Sequence, residues 1–210
     1  DEMEARVVAD NLGRGLSRMG ESHTKGLGYM ADASTGPALT VAYKEARNAI
    51  RHPAEIEKAV VRSASVLWTD VDLGRKRTSA FAPLIDQRAS ALLNEVKAAY
   101  QLQALQRNVA AAEPVVTPEE RAAARLVVTA VPRQPGAGGP GGGRRGGAPS
   151  GPSLPDEFNA ELSILLGEKK SVLEIRDFLS GEFTPVPLSD LMVVLRARET
   201  AGAVKLTPAI

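Results

Sequence analysis

Apolar positions recur every three or four residues along much of the chain, and that period predicts helices. One stripe holds Leu39, Ala42, Tyr43, Ala46, Ala49 and Ile50. Pro37 opens it, where a missing backbone N–H costs nothing, and His52-Pro53 breaks it. Pro53 then starts another helix, with Ile56, Val60, Ala64, Leu67 and Trp68 on one face. The longest stripe begins at Pro83 and carries Ile85, Ala89, Leu92, Val96, Ala99, Leu102 and Val109 to about residue 112. Such a helix is roughly 45 Å long and needs a partner along its length. The two helices before it are the candidates, which predicts an antiparallel helical hairpin or small bundle. Residues 4–19 mix apolar and basic positions without a clean period. Residues 20–36, with Gly20, Gly26, Gly28 and Gly36, read as a long connection, and 70–80 reads as a polar turn.

Further along, local signals are sharper. Thr117-Pro118-Glu119-Glu120 has a capping residue, a first-turn proline and a glutamate three residues after the cap. It predicts a short helix ending before Val131-Pro132. Phe158, Leu162, Leu165 and Leu166 predict a helix that stops at Gly167. Ser171-Val172-Leu173-Glu174 is a capping box, so a second helix starts there, with Val172, Ile175, Phe178 and Leu179 inward and Gly181 as its end. Leu188, Leu191, Met192, Val194 and Leu195 stripe a third, ending near Gly202, and Val204-Lys205-Leu206 reads as a short strand. Three short helices, a tight turn and a terminal strand describe a helix-turn-helix or winged-helix-like module.

Between these regions, Pro132 to Pro155 contains nine Gly and six Pro, too little apolar surface to offset the entropy of ordering. The expected fold is therefore mainly α. An Ala-rich helical hairpin or bundle (1–131) is joined by a Gly/Pro-rich linker (132–153) to a winged-helix-like domain (154–210).

Composition narrows the function. Aromatics are 4% of the chain, so the core must come from Ala, Leu and Val. The 26 Lys+Arg nearly cancel the 25 Asp+Glu, which argues against a broad nucleic-acid or anionic-membrane surface. Residues 154–210 carry six basic and nine acidic side chains, 6 − 9 = −3. Arg196 and Arg198 lie near the C-terminal end of the third helix, whereas recognition helices read bases with their N-terminal part. Arg144 and Arg145 add too little charge for a nucleic-acid tail. Nucleic acid is thus a disfavoured partner, and no apolar run is long enough to span a membrane. With no cysteine, disulfides and thiolate chemistry are excluded.

Candidate reactive groups are sparse. His23 and His52 stand 29 residues apart, and neither has a second ligand at helical spacing. His23 reads as a loop histidine and His52 as one at a helix end. Asp70 and Asp72 begin a sequence that lacks the glycine and glutamate of a calcium loop, and read as the end of a helix. Arg75-Lys76-Arg77 reads as a solvated basic turn. Neither a G-x-S-x-G elbow nor a phosphate-binding G-x-x-x-x-G-K-[ST] occurs. The expectation is a chain with no catalytic or metal-binding residues of its own. Ile85, Leu92, Val96 and Leu102 are the candidate partner-packing face. Val204 and Leu206 are a candidate edge for an extended peptide.

Within Ile164–Val204, the residues Gly167, Ser171, Glu174, Ile175, Arg176, Leu195, Ala201 and Gly202 resemble a small C-terminal module of some bacterial secreted di-zinc aminopeptidases. The Ala-rich helices, with Ser34-Thr35-Gly36-Pro37, look like the segment that joins the peptidase core to it. The same stretch is similar to the winged-helix-like peptide-chaperone domains of ribosomal-peptide modification systems, which bind a leader peptide. The peptidase family holds its zinc on His, Asp and Glu in an α/β core, and none of those ligands maps onto this chain. The resemblance therefore implies a non-catalytic accessory chain. Its partner would be another protein, a second copy, or a peptidase catalytic domain, with zinc only if such a core lies upstream. It also implies a secreted or periplasmic location. The start at Asp1, without Met or signal peptide, reads as a mature or cut product. The alternatives are a peptide-binding and, less favoured, a nucleic-acid-binding winged helix.

Overall fold

The computed structural model describes residues 2–131 and 152–209, so most of the predicted linker, with Arg144 and Arg145, lies outside the described residues. The fold is mainly α. Two compact units divide the chain, Asp1–Val115 and Val116–Ile210. The expected boundary at the Gly/Pro segment is thus corrected. The region 116–131 belongs to the second unit because a strand in it pairs with the C-terminal strand.

The first unit contains α1 (Glu2–Asp32), α2 (Gly36–Ser63), a 3-10 turn (Ala64–Leu67), α3 (Val71–Ser79) and α4 (Ala82–Gln106). The predicted connection over 20–36 is mostly helix. Gly26 explains it: a Cβ there would lie 2.9 Å from the Cβ of Ala46 and 3.0 Å from its Cα. The missing side chain lets α1 lie directly on α2, and that packing outweighs glycine's poor helix propensity. The break at His52-Pro53 is also overturned, since α2 runs through Pro53. An interior proline costs about 3 kcal/mol. Here Ile50, Ala54 and Val61 are buried on either side of it and hold the helix to the core. The polar turn at 70–80 is largely α3, started by Asp70, whose carboxylate accepts from the N–H groups of Asp72 and Leu73 at 3.0 Å each.

Helix α4 stops earlier than its stripe suggests. Asn108 takes a left-handed φ of 53°. The Val109 N–H then donates to the Ala104 carbonyl at 2.9 Å and the Asn108 N–H to Leu105 at 3.0 Å, a Schellman closure. Arg107, just past the helix, donates to the carbonyls of Met30, Ala31 and Ala33, so one side chain caps the end of α1. Met19, Met30, Leu39, Ile50, Ile85 and Leu92 are fully buried at the centre. Tyr43 stacks on Tyr100 with centroids 4.2 Å apart, and the Tyr100 hydroxyl donates to the Ala112 carbonyl at 2.8 Å.

The second unit contains α5 (Pro118–Ala124), β1 (Leu126–Ala130), α6 (Asp156–Leu165), α7 (Val172–Glu182), α8 (Leu188–Thr200) and β2 (Val204–Pro208). Both predicted capping boxes form, at Thr117/Glu120 and Ser171/Glu174. The strand β1 was not expected, although Val127-Val128-Thr129 is a β-branched run of the kind strands favour. It pairs antiparallel with β2, Val128 opposite Leu206. The terminal strand's partner is thus a segment that precedes α6. Leu162, Leu165, Ile175, Leu179, Leu191 and Leu195 fill the core beneath, together with Val128.

Candidate functional site

The predicted site residues scatter. His23 lies within α1 rather than in a loop, its Nε2 3.2 Å from a carboxylate oxygen of Glu95 on α4. His52 sits inside α2, away from a helix end. Asp70 caps α3 instead of ending a helix, and Arg75, Lys76 and Arg77 point from that helix into solvent. Among the described residues, no group of three or more His, Asp or Glu is placed to hold a metal ion.

The predicted partner-packing face is corrected in the same way. Ile85, Leu92 and Val96 are fully buried in the first unit's own core, covered by the helices they were expected to pair with. Leu102 turns away from them and is 55% exposed. A stripe that closes its own bundle cannot also face a second molecule.

The peptide edge at Val204 and Leu206 fails for a different reason. In the register of β1 and β2, the odd-numbered positions bond to each other across the pair, and the backbone polar groups of Val204, Leu206 and Pro208 point away from β1. The outward N–H of Leu206 donates to a carboxylate oxygen of Glu199 at 3.0 Å. That bond, and then Arg196 at 2.8 Å, hold the Glu199 carboxyl below the usual carboxylate range. Pro208 has no N–H to offer. On the opposite edge, Val128 and Ala130 donate to the carbonyls of Lys170 and Leu166. An added strand would find few free donors, the usual device against edge pairing. Val204 is moreover 3% exposed and part of the core.

What the second unit does offer is a cleft of about 480 Å³ between α5 and the start of α8. Its wall on α5 is low because Ala122 and Ala123 are small. Leu126 of β1, with Leu188 and Met192 one helical turn apart on α8, completes the apolar surface. The Arg176 side chain also lines it and is 8% exposed. Its Nε donates to the Val186 carbonyl and its Nη1 to Asp177, both at 3.0 Å. A buried guanidinium needs such partners, and these hold the α7–α8 turn in place.

The α5 rim is acidic. Thr117 fixes it: its N–H donates to the Glu120 carboxylate at 3.0 Å, and its hydroxyl accepts from the Glu120 N–H at 3.2 Å. Glu119, beside it, is exposed and lines the cleft. Its own backbone N–H, and then the Thr117 hydroxyl, keep its carboxyl below the usual value, so it is charged at neutral pH. Ser189 and Thr117 supply the remaining polar atoms.

This cleft was missed because its parts are individually ordinary. Leu188 and Met192 belong to a stripe that reads as core, and both are only partly buried. Ala122, Leu126 and Met192 become neighbours only when β1 brings α5 to the same face as α8. No protein-family model, no curated protein and no solved structure matches this chain.

Proposed function

We propose that this is a non-catalytic accessory chain whose second unit takes a segment of a protein partner into the cleft between α5 and α8. The cleft itself carries the reading. It is apolar, within the volume range of specific binding pockets, and lined by the Thr117/Glu120 capping box and a buried, paired arginine. The guarded β2 edge leaves it as the better route for a peptide. The resemblance of Ile164–Val204 to the C-terminal modules of di-zinc aminopeptidases makes a peptidase catalytic domain a natural partner and a secreted setting a natural location. On that reading the helices α6–α8 with the two strands are a winged-helix-like unit that binds protein rather than nucleic acid. Its acidic balance supports that choice.

The methionines provide a direct test. The chain has four, Met3, Met19, Met30 and Met192, and only Met192 lies in the second unit. In the full chain labelled with ¹³C at the methionine methyls, a 12-residue uncharged helical peptide with two leucines four residues apart should shift the Met192 signal selectively. Ala122→Trp, which plugs the cleft from an exposed position, should abolish the shift while leaving the circular dichroism unchanged. A Met192 signal indifferent to the peptide overturns the proposal.

A further inference from the structure

The chemistry of the cleft goes further and selects the kind of segment that fits. This inference rests on the docking reading above and names the partner's charge.

We infer that the cleft between α5 and α8 receives an apolar segment flanked by basic residues, its aliphatic side chains on Leu126, Leu188 and Met192 and its Lys or Arg beside Glu119. The volume decides the apolar part. A space of about 480 Å³ holds two to three aliphatic side chains, which suits two residues one helical turn apart. Their spacing would match Leu188 and Met192, themselves four residues apart on α8.

Charge decides the rest. Among the described residues lining the cleft, Arg176 is the one cation, and Asp177 balances it at 3.0 Å. It is also committed to the Val186 carbonyl, so it has little left to offer an acidic ligand. Glu119, at the start of α5, lines the same cleft and is exposed to solvent. An acidic segment would meet this rim with like charge. A neutral one would leave it solvated, and a basic one gains an ion pair at the edge of an apolar contact. Rim charges of this sort set specificity and on-rate more than total affinity. The discrimination is therefore modest and salt-sensitive.

The experiment uses the ¹³C-methionine full chain and three helical peptides of equal length, each with two leucines four residues apart. One is flanked by lysines, one by glutamates and one by glutamines. The Lys-flanked peptide should bind roughly fivefold tighter than the Glu-flanked one, read from the Met192 titration at low salt, an increment in keeping with exposed ion pairs. The gap should close in 0.5 M NaCl, at about a third of the low-salt screening distance. Glu119→Lys should reverse the order of the two charged peptides, while the Gln-flanked peptide keeps its affinity.

Equal binding of all three peptides at low salt would overturn this inference and leave the docking reading standing. Loss of binding by all three overturns both. A concentration-dependent Met192 shift in the absence of peptide would make a second copy of the chain the occupant, and that too overturns it.

Discussion

The two units solve the problem of a small core in opposite ways. The first is built from long helices whose termination and contacts depend on residues far away in sequence. Gly26 meets Ala46, Tyr100 reaches Thr40 and Ala112, and Arg107 closes the end of α1. The second is built from short helices that carry their own start signals, Thr117 with Glu120 and Ser171 with Glu174. Long helices gain from tertiary contact and tolerate poor local residues, such as Pro53. Short ones have few internal hydrogen bonds, so each cap is a larger share of what holds them. The second unit is also where a cleft remains open, because a seven-residue helix with small side chains covers little of its neighbour.

Gly26→Val should do the most damage and tests the first half of this contrast. The added side chain meets Ala46 backbone, which cannot swing aside as a flexible side chain would. Overpacking of this kind costs about 2–3 kcal/mol. Urea unfolding followed by the emission of Trp68, the single tryptophan and a member of the first core, should report it. Wild-type stability in this variant would mean that α1 does not lie on α2 as described.

Ser171→Ala probes the second half. Removing an N-cap hydroxyl costs about 1 kcal/mol, and the loss should appear in the unfolding of the second unit read from the Met192 methyl. The same box predicts a pH effect. The Ser171 hydroxyl and then its backbone N–H, each 2.7 Å from the Glu174 carboxylate, hold that carboxyl below its usual pKa. A depressed folded value means stability that is complete above the unfolded pKa of about 4.3. It is lost as the pH falls through the folded value. Glu174→Gln should therefore flatten the acid side of the second unit's stability profile.

The smallest expected change runs in the favourable direction. Gly13 and Gly20 lie in the same helix as Gly26, but a Cβ at either would meet nothing within 4 Å. Gly20→Ala should raise the stability of the first unit by up to about 1 kcal/mol, the helix-propensity difference alone. A loss instead would place an unrecognised contact on that face of α1.

Much of the second unit is readable residue by residue. The capping boxes, the three short stripes and the C-terminal strand follow from interactions within four or five positions, and the structure has them where they are expected. Gly181, read as the end of α7, instead lies inside it, and the helix runs to Glu182. The first unit is less readable, since four of its features contradict local rules. Glycines sit inside α1, a proline sits inside α2, a polar stretch is helical, and an apolar stripe outruns α4. The glycines and the proline are resolved by packing against other helices, which no local window contains, whereas α3 is started by its own Asp70 cap and α4 is closed by the turn at Asn108. Site residues follow the same division. The periodicity of Ile85, Leu92 and Val96 marks them correctly as apolar face but is silent on what covers them. Alternation marks Val204-Lys205-Leu206 as strand but does not reveal that Glu199 takes an outward N–H.

The chain's helical character, its capping boxes and its two histidines and absent cysteines are properties of residue type and short spacing, and these need no fold to be seen. Which faces remain open is a property of long-range pairing. Strand β1 carries α5 across to α8, and that pairing creates the cleft. The physical cause is one of range: a hydrogen-bonded cap acts within a single turn, whereas burial and rim charge depend on neighbours brought from some seventy residues away, as Leu126 and Met192 are.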